Sequence, residues 1–99
     1  MSRFRFRPMP VDAVHFDGTR ASAAEVIAWM ESVAPEIEVR ERIEYAGWDD
    51  REGHVELELH DHEAQCAKDD WIVVTEADGL RRSWVVDDRT FRRYFAPTD

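Results

Sequence analysis

The sequence predicts an α+β fold: a single small domain over residues 1–99, with a mainly antiparallel, strongly bent sheet of five to six strands. One amphipathic helix is expected at about 23–33 and a short C-terminal helix at about 88–95. Three observations lead there. Apolar and polar residues alternate through most of the chain, most cleanly from His54 to His60, the pattern of a strand with one buried face. Only one stretch carries clear helical spacing. The last third reads strand, glycine turn, strand, aromatic helix. Strands in the majority with one early helix make the class α+β.

The elements follow in order. Arg3-Phe4-Arg5-Phe6-Arg7 alternates strictly, so its two phenylalanines share one strand face and its arginines the other. Pro8 and Pro10 confine that strand to an edge or break it. The chain resumes at Val11 to Phe16, with Val14 and Phe16 inward, and turns at Asp17-Gly18. Ser22-Ala23-Ala24-Glu25 has the spacing of a capping box. The helix it opens places Val26, Ile27, Met30 and Val33 on one face, with Trp29 at the border, and Pro35 prevents its continuation.

Ile37, Val39, Ile43 and Tyr45 keep strand alternation, but Glu41 takes an inward slot, which a bulge or an edge position accommodates. Residues 47–53 form a polar turn. Val55, Leu57 and Leu59 then face inward, Asp61-His62 makes a hairpin tip, and Ala64 and Cys66 return. After a Lys68-Asp69-Asp70 turn come strands at 71–75 and 80–86, around a Glu76-Ala77-Asp78-Gly79 turn. Asp87 or Asp88 caps the closing helix, on which Phe91 and Phe95 share a face. Trp71 and Trp84 are expected in the core.

Charge narrows the function classes. The net charge is −9, and residues 36–70 alone hold thirteen acidic and four basic side chains, so the whole excess lies mid-chain. Such a surface repels phosphates, which makes direct nucleic-acid binding an unfavoured reading. No apolar run approaches membrane-spanning length, and the N-terminal residues lack a signal-peptide apolar region. With a single cysteine, the expectation is a cytoplasmic protein.

Few residues suggest chemistry. His60-Asp61-His62-Glu63, with His54 upstream, is the most metal-like cluster, since imidazole and carboxylate suit a divalent ion. The spacing matches no zinc signature, and a solvated acidic turn explains it more simply. Cys66 alternates with Ala64, as a small core thiol would. No nucleophile elbow or phosphate loop is present, so no catalytic residue and no cofactor are expected. Arg81, Arg82, Arg92 and Arg93 crowd the C-terminal hairpin and helix. They either form a basic patch for a partner or pair with the acidic middle of the chain, internally or across a dimer. Trp48, in a polar turn, is either an exposed anchor for a partner or folds back on the core edge.

Two segments resemble a family of small bacteriophage and prophage proteins that has no assigned activity. Such proteins open with a pattern like Arg-Pro…Val-Glu-Ala-Ile-Gln-Trp-Asp-Gly, here Arg7-Pro8-Met9-Pro10-Val11-Asp12-Ala13-Val14-His15-Phe16-Asp17-Gly18. They close with Gly-Asp-Trp-Ile, a glycine turn and Phe-Xaa-Xaa-Xaa-Tyr, here Asp69-Asp70-Trp71-Ile72, Gly79 and Phe91-Arg92-Arg93-Tyr94-Phe95. Asp69 replaces the pattern's glycine, the closing aromatics are shifted by a residue, and residues 36–66 match only in element order. The resemblance implies a non-enzymatic accessory protein that binds a host or phage protein. A homodimer through an exposed strand edge, an acidic nucleic-acid mimic, and a metal-dependent or small-ligand enzyme using His54, His60 and His62 are the competing expectations.

Overall fold

The computed structural model describes residues 2–3, 10–61 and 64–97, and its fold is α+β. The expected strand of Phe4 and Phe6, with Arg5 and Arg7, lies outside the described residues, as does His62. The elements run β1 (Asp12–His15), α1 (Arg20–Val33), β2 (Val39–Glu44), β3 (His54–Leu59), β4 (Ala64–Cys66), β5 (Trp71–Ala77), β6 (Leu80–Val86) and α2 (Asp88–Tyr94). All strand pairs are antiparallel. The six strands divide into two three-stranded sheets, β1-β5-β6 (sheet A) and β2-β3-β4 (sheet B).

The helix α1 starts earlier than Ser22. Its cap is Thr19, whose Oγ1 accepts the Ser22 N–H at 3.0 Å and whose hydroxyl donates to Asp17 Oδ1 at 2.6 Å. The expected capping box is therefore corrected: the Ser22 hydroxyl is buried and accepts the Asp17 N–H at 3.1 Å. Arg20 and Ala21 are good helix formers, so once Thr19 satisfies a first-turn amide nothing delays the helix. At the other end the Ala34 N–H still reaches Met30 O at 2.8 Å, and Pro35 stops the next turn.

The inner faces of both sheets and α1 share one core. Phe16, Ile72 and Val74 come from the β1–β5 side, Leu57, Leu59 and Cys66 from sheet B, and Ala23, Val26 and Met30 from α1. Glu41 is accommodated by an edge position. The β2–β3 register runs without interruption from Val39–Leu59 to Glu44–His54, β2 is the outer strand, and Glu41 reaches Arg20 of α1 at 3.3 Å.

A carboxylate ties the two sheets together. Asp61, beyond the end of β3, accepts the Ser83 N–H at 2.9 Å and the Ser83 hydroxyl at 2.6 Å. Ser83 is buried on β6, so this fork satisfies an edge amide and a hydroxyl that would otherwise be stranded. The β5–β6 connection is the two-residue Asp78-Gly79 hairpin turn, with φ of 54° and 79°. Positive φ at both positions is the geometry that fits the twist of the flanking strands.

Trp84 departs from the core expectation. Alternation places it with Trp71, Val73 and Thr75 on the outer face of sheet A, where it is 47% exposed and donates its indole N–H to Thr75 Oγ1 at 3.1 Å. Trp71 lies on the same face and is covered instead by α2. Phe91 stacks on it with ring centroids 3.8 Å apart and planes within 5°, and Phe95 stacks on Phe91 at 4.8 Å. Asp87 caps α2 by accepting the Thr90 N–H at 2.7 Å.

Candidate partner-binding surface

Trp48 projects from the loop between β2 and β3 and is 99% exposed, which settles the choice between exposure and folding back onto the core edge. The loop around it is held by Asp50. That side chain accepts the Ala46 N–H at 2.9 Å and the Gly53 N–H at 3.0 Å, while its own N–H bonds Gly47 O at 3.1 Å. These amide bonds, Ala46 foremost and then Gly53, hold the Asp50 carboxyl below its ordinary value, so it is ionised at neutral pH. Gly53 closes the loop at φ 66°, where a side chain would meet Ile43 Cγ2 at 2.7 Å and Glu44 O at 2.8 Å. The indole is thus presented on fixed backbone, and Tyr45, 56% exposed, stands at the loop's base. Asp50 and Gly53 were visible in the sequence only as turn residues.

The C-terminal arginines are dispersed. Arg81 and Arg82 are neighbours on β6 and so face opposite sides of sheet A. Arg81 lies 3.3 Å from Glu36 and 3.5 Å from Glu76. Arg82 stands on the outer face opposite Thr75. Arg92 bonds Asp88 at 2.9 Å, one helical turn back, and Arg93 lies over the Tyr94 ring at 5.6 Å. Of these, only the Arg81–Glu36 contact reaches the acidic middle of the chain, whereas Arg92 pairs within its own helix.

The histidines separate as well. His54 Nε2 lies 3.1 Å from Glu56 on the outer face of sheet B, whereas His60 follows the end of β3 and donates its N–H to Glu38 O. Among the described residues, no group of three or more His, Cys, Asp or Glu side chains is arranged to hold a metal ion. Asp61, in the middle of the metal-like cluster, has the Ser83 contact described above. Cys66 is fully buried, and burial, with Asp70 and Glu56 adding to it, pushes its thiol up to about 12. Such a thiol supplies almost no thiolate at neutral pH.

A groove of about 430 Å³ lies between β1, the end of α1 and the β5–β6 hairpin, lined in part by Asp12, Val33, Val74, Glu76, Asp78 and Arg81. Its one guanidinium lies beside Glu36 and Glu76, and the other charged groups of the lining, Asp12 and Asp78, are acidic. No helix of the described residues is long and apolar enough to cross a membrane.

Comparison with protein-family models, curated proteins and solved structures finds no match to this chain.

Proposed function

We propose that this chain is a non-enzymatic accessory protein of bacteriophage or prophage origin that acts by binding a host or phage protein in the bacterial cytoplasm, with Trp48 as its anchor. The observation that carries the reading is a wholly exposed tryptophan on a loop whose backbone is pinned by Asp50. A large rigid side chain held in water at a protruding turn gains area on docking at little ordering cost, which is how dominant interface residues work. The phage attribution rests on the two terminal patterns. It gains support from Asp69, which occupies the pattern's glycine position and adopts φ 70°, backbone that favours glycine.

The acidic-mimic alternative is less well supported. On the outer face of sheet B, Arg40 and Arg42 stand directly opposite Glu58 and Glu56, so opposite charges alternate there instead of forming a continuous anionic track.

The test is retention from a lysate of the bacterium that carries the gene. Wild-type protein is expected to retain one protein in near-equimolar amount, and Trp48→Ala is expected to lose it while melting at the same temperature. Equal retention by both would remove Trp48 as the anchor, and no retention above an empty matrix would remove the binding reading. Competition by double-stranded DNA, with steep salt dependence, would shift the assignment to the acidic mimic.

A further inference from the structure

Among the described residues the outer edge of β2 is unpaired, and its charge pattern favours one mode of pairing with itself. Glu38 O accepts the His60 N–H, so the main-chain groups of the even-numbered residues 38–44 face β3 and those of Val39, Glu41, Ile43 and Tyr45 face away. Among the described residues no further strand lies on that side. We propose that the chain self-associates through this edge, as an antiparallel two-fold pair of β2 strands centred on Ile43.

The register follows from electrostatics and sterics. A two-fold axis normal to the sheet sets residues of like face opposite one another and one residue opposite itself. Centring on Arg40, Glu41, Arg42 or Glu44 places identical charges on the axis, which is destabilising for directly opposed residues. Centring on Val39 drives the partner into residues 35–37, where Ile37 is buried and its N–H is bonded to Ala34 O. Centring on Ile43 opposes Ile43 to itself once on the axis and, twice each, Glu41 to the half-exposed Tyr45 and Arg42, which lies 2.6 Å from Glu44 of its own strand, to Glu44 of the second copy.

The outward-facing amides and carbonyls of Glu41, Ile43 and Tyr45 then exchange about six backbone hydrogen bonds across the axis. The two three-stranded sheets B become one of six strands, with the Trp48 loops at opposite ends. A contact of this size is smaller than a standard stable interface, so the dimer forms in a concentration-dependent way. The charges that reject the other registers also guard the edge against open-ended pairing.

Single cysteines test the register, because directly opposed hydrogen-bonded residues lie about 5.5 Å apart, within disulfide reach, and a two-residue offset exceeds it. Cys66 is buried and can stay in place. Under mild oxidation Ile43→Cys should cross-link at least tenfold more than Arg42→Cys, Glu41→Cys or a control on the exposed helix surface, Glu25→Cys. Dominant cross-linking at 41 or 42, or none above the control, overturns the proposal.

Light scattering with size exclusion supplies a second arm that needs no introduced cysteine. Wild type should move with concentration towards twice the 11.6 kDa monomer mass. Arg42→Glu or Glu44→Arg alone should shift it back to monomer, and the two together should restore the dimer. A wild type that stays monomeric at millimolar concentration, or a double variant that stays monomeric while folded, also overturns it.

Discussion

The two sheets are built alike on their inner faces and differ on their outer ones. Sheet A and sheet B each turn one apolar face to the shared core, Ile72 and Val74 from one, Leu57 and Leu59 from the other. Outward, sheet B shows opposed charges, Arg40 to Glu58 and Arg42 to Glu56, with Glu44 opposite His54. Sheet A shows Trp71 opposite Val86 and Val73 opposite Trp84. A charged face is stable in water as it stands, whereas an aromatic face gains by being covered. That is why the chain continues past β6 into α2, whose Phe91 lies flat on Trp71. The lesson is that α2, although short, has a partner that gives it a reason to fold.

Removing the aromatic partner breaks the comparison most severely. Trp71→Ala deletes the stacking surface and the indole bond to Asp88 (2.8 Å), and should cost about 3 kcal/mol in urea unfolding. Arg40→Ala, on the outer face of sheet B, should change stability by less than about 0.5 kcal/mol. Similar losses from the two variants would show that the faces are equivalent after all.

Asp61→Ala tests the join between the sheets. It leaves the buried Ser83 amide and hydroxyl without this acceptor and should cost about 2 kcal/mol, read from the shift in urea midpoint at constant slope. An unchanged midpoint would mean that the inner core alone holds the sheets together.

Acid should loosen α2 with a smaller effect, because its carboxylates are exposed. The Trp71 indole N–H first, and then Arg92, hold the Asp88 carboxyl below its ordinary 3.8, and the Thr90 amide does the same for Asp87. The folded state therefore prefers both groups ionised. The stability they add is fully present above the unfolded value and is lost as pH falls through the lower folded values. Melting temperature should drop as pH falls below the ordinary carboxylate value of 3.8, and Asp88→Asn should flatten part of that drop. A profile identical to wild type would detach Asp88 from the stability of α2.

Trp48→Ala is the smallest expected change, within about 0.5 kcal/mol, since the side chain is almost wholly in water. Set beside Trp71→Ala, it separates a tryptophan that holds the fold from one available for a partner. A large loss of stability would mean that Trp48 is structural.

How much was legible varies by residue. The return through Cys66, the pairing of Phe91 with Phe95 and a glycine turn at Gly79 follow from local rules of turn chemistry and spacing, although Glu76 and Ala77, read as part of that turn, continue β5. Thr19 was passed over as the cap because Ser22 and Glu25 form an equally valid local pattern, and only the burial of Ser22 beside Asp17 separates the two. Trp84 was misplaced because a period of two says that a strand has two faces and not which of them is covered. Among the site residues, the polar turn at Trp48 left exposure and folding back both open, and only the structure shows the side chain in water, on a loop held by Asp50.

The sequence by itself determined the α+β class, the alternating strands, the single long helix and the acidic middle of the chain, because these depend on neighbours a few residues apart. The tertiary structure alone decided that the six strands of the described residues form two sheets, that Asp61 joins them through Ser83, and that, among the described residues, no strand pairs with the outer edge of β2. Those outcomes depend on which distant segments meet, and a local pattern of polar and apolar residues is compatible with several such pairings.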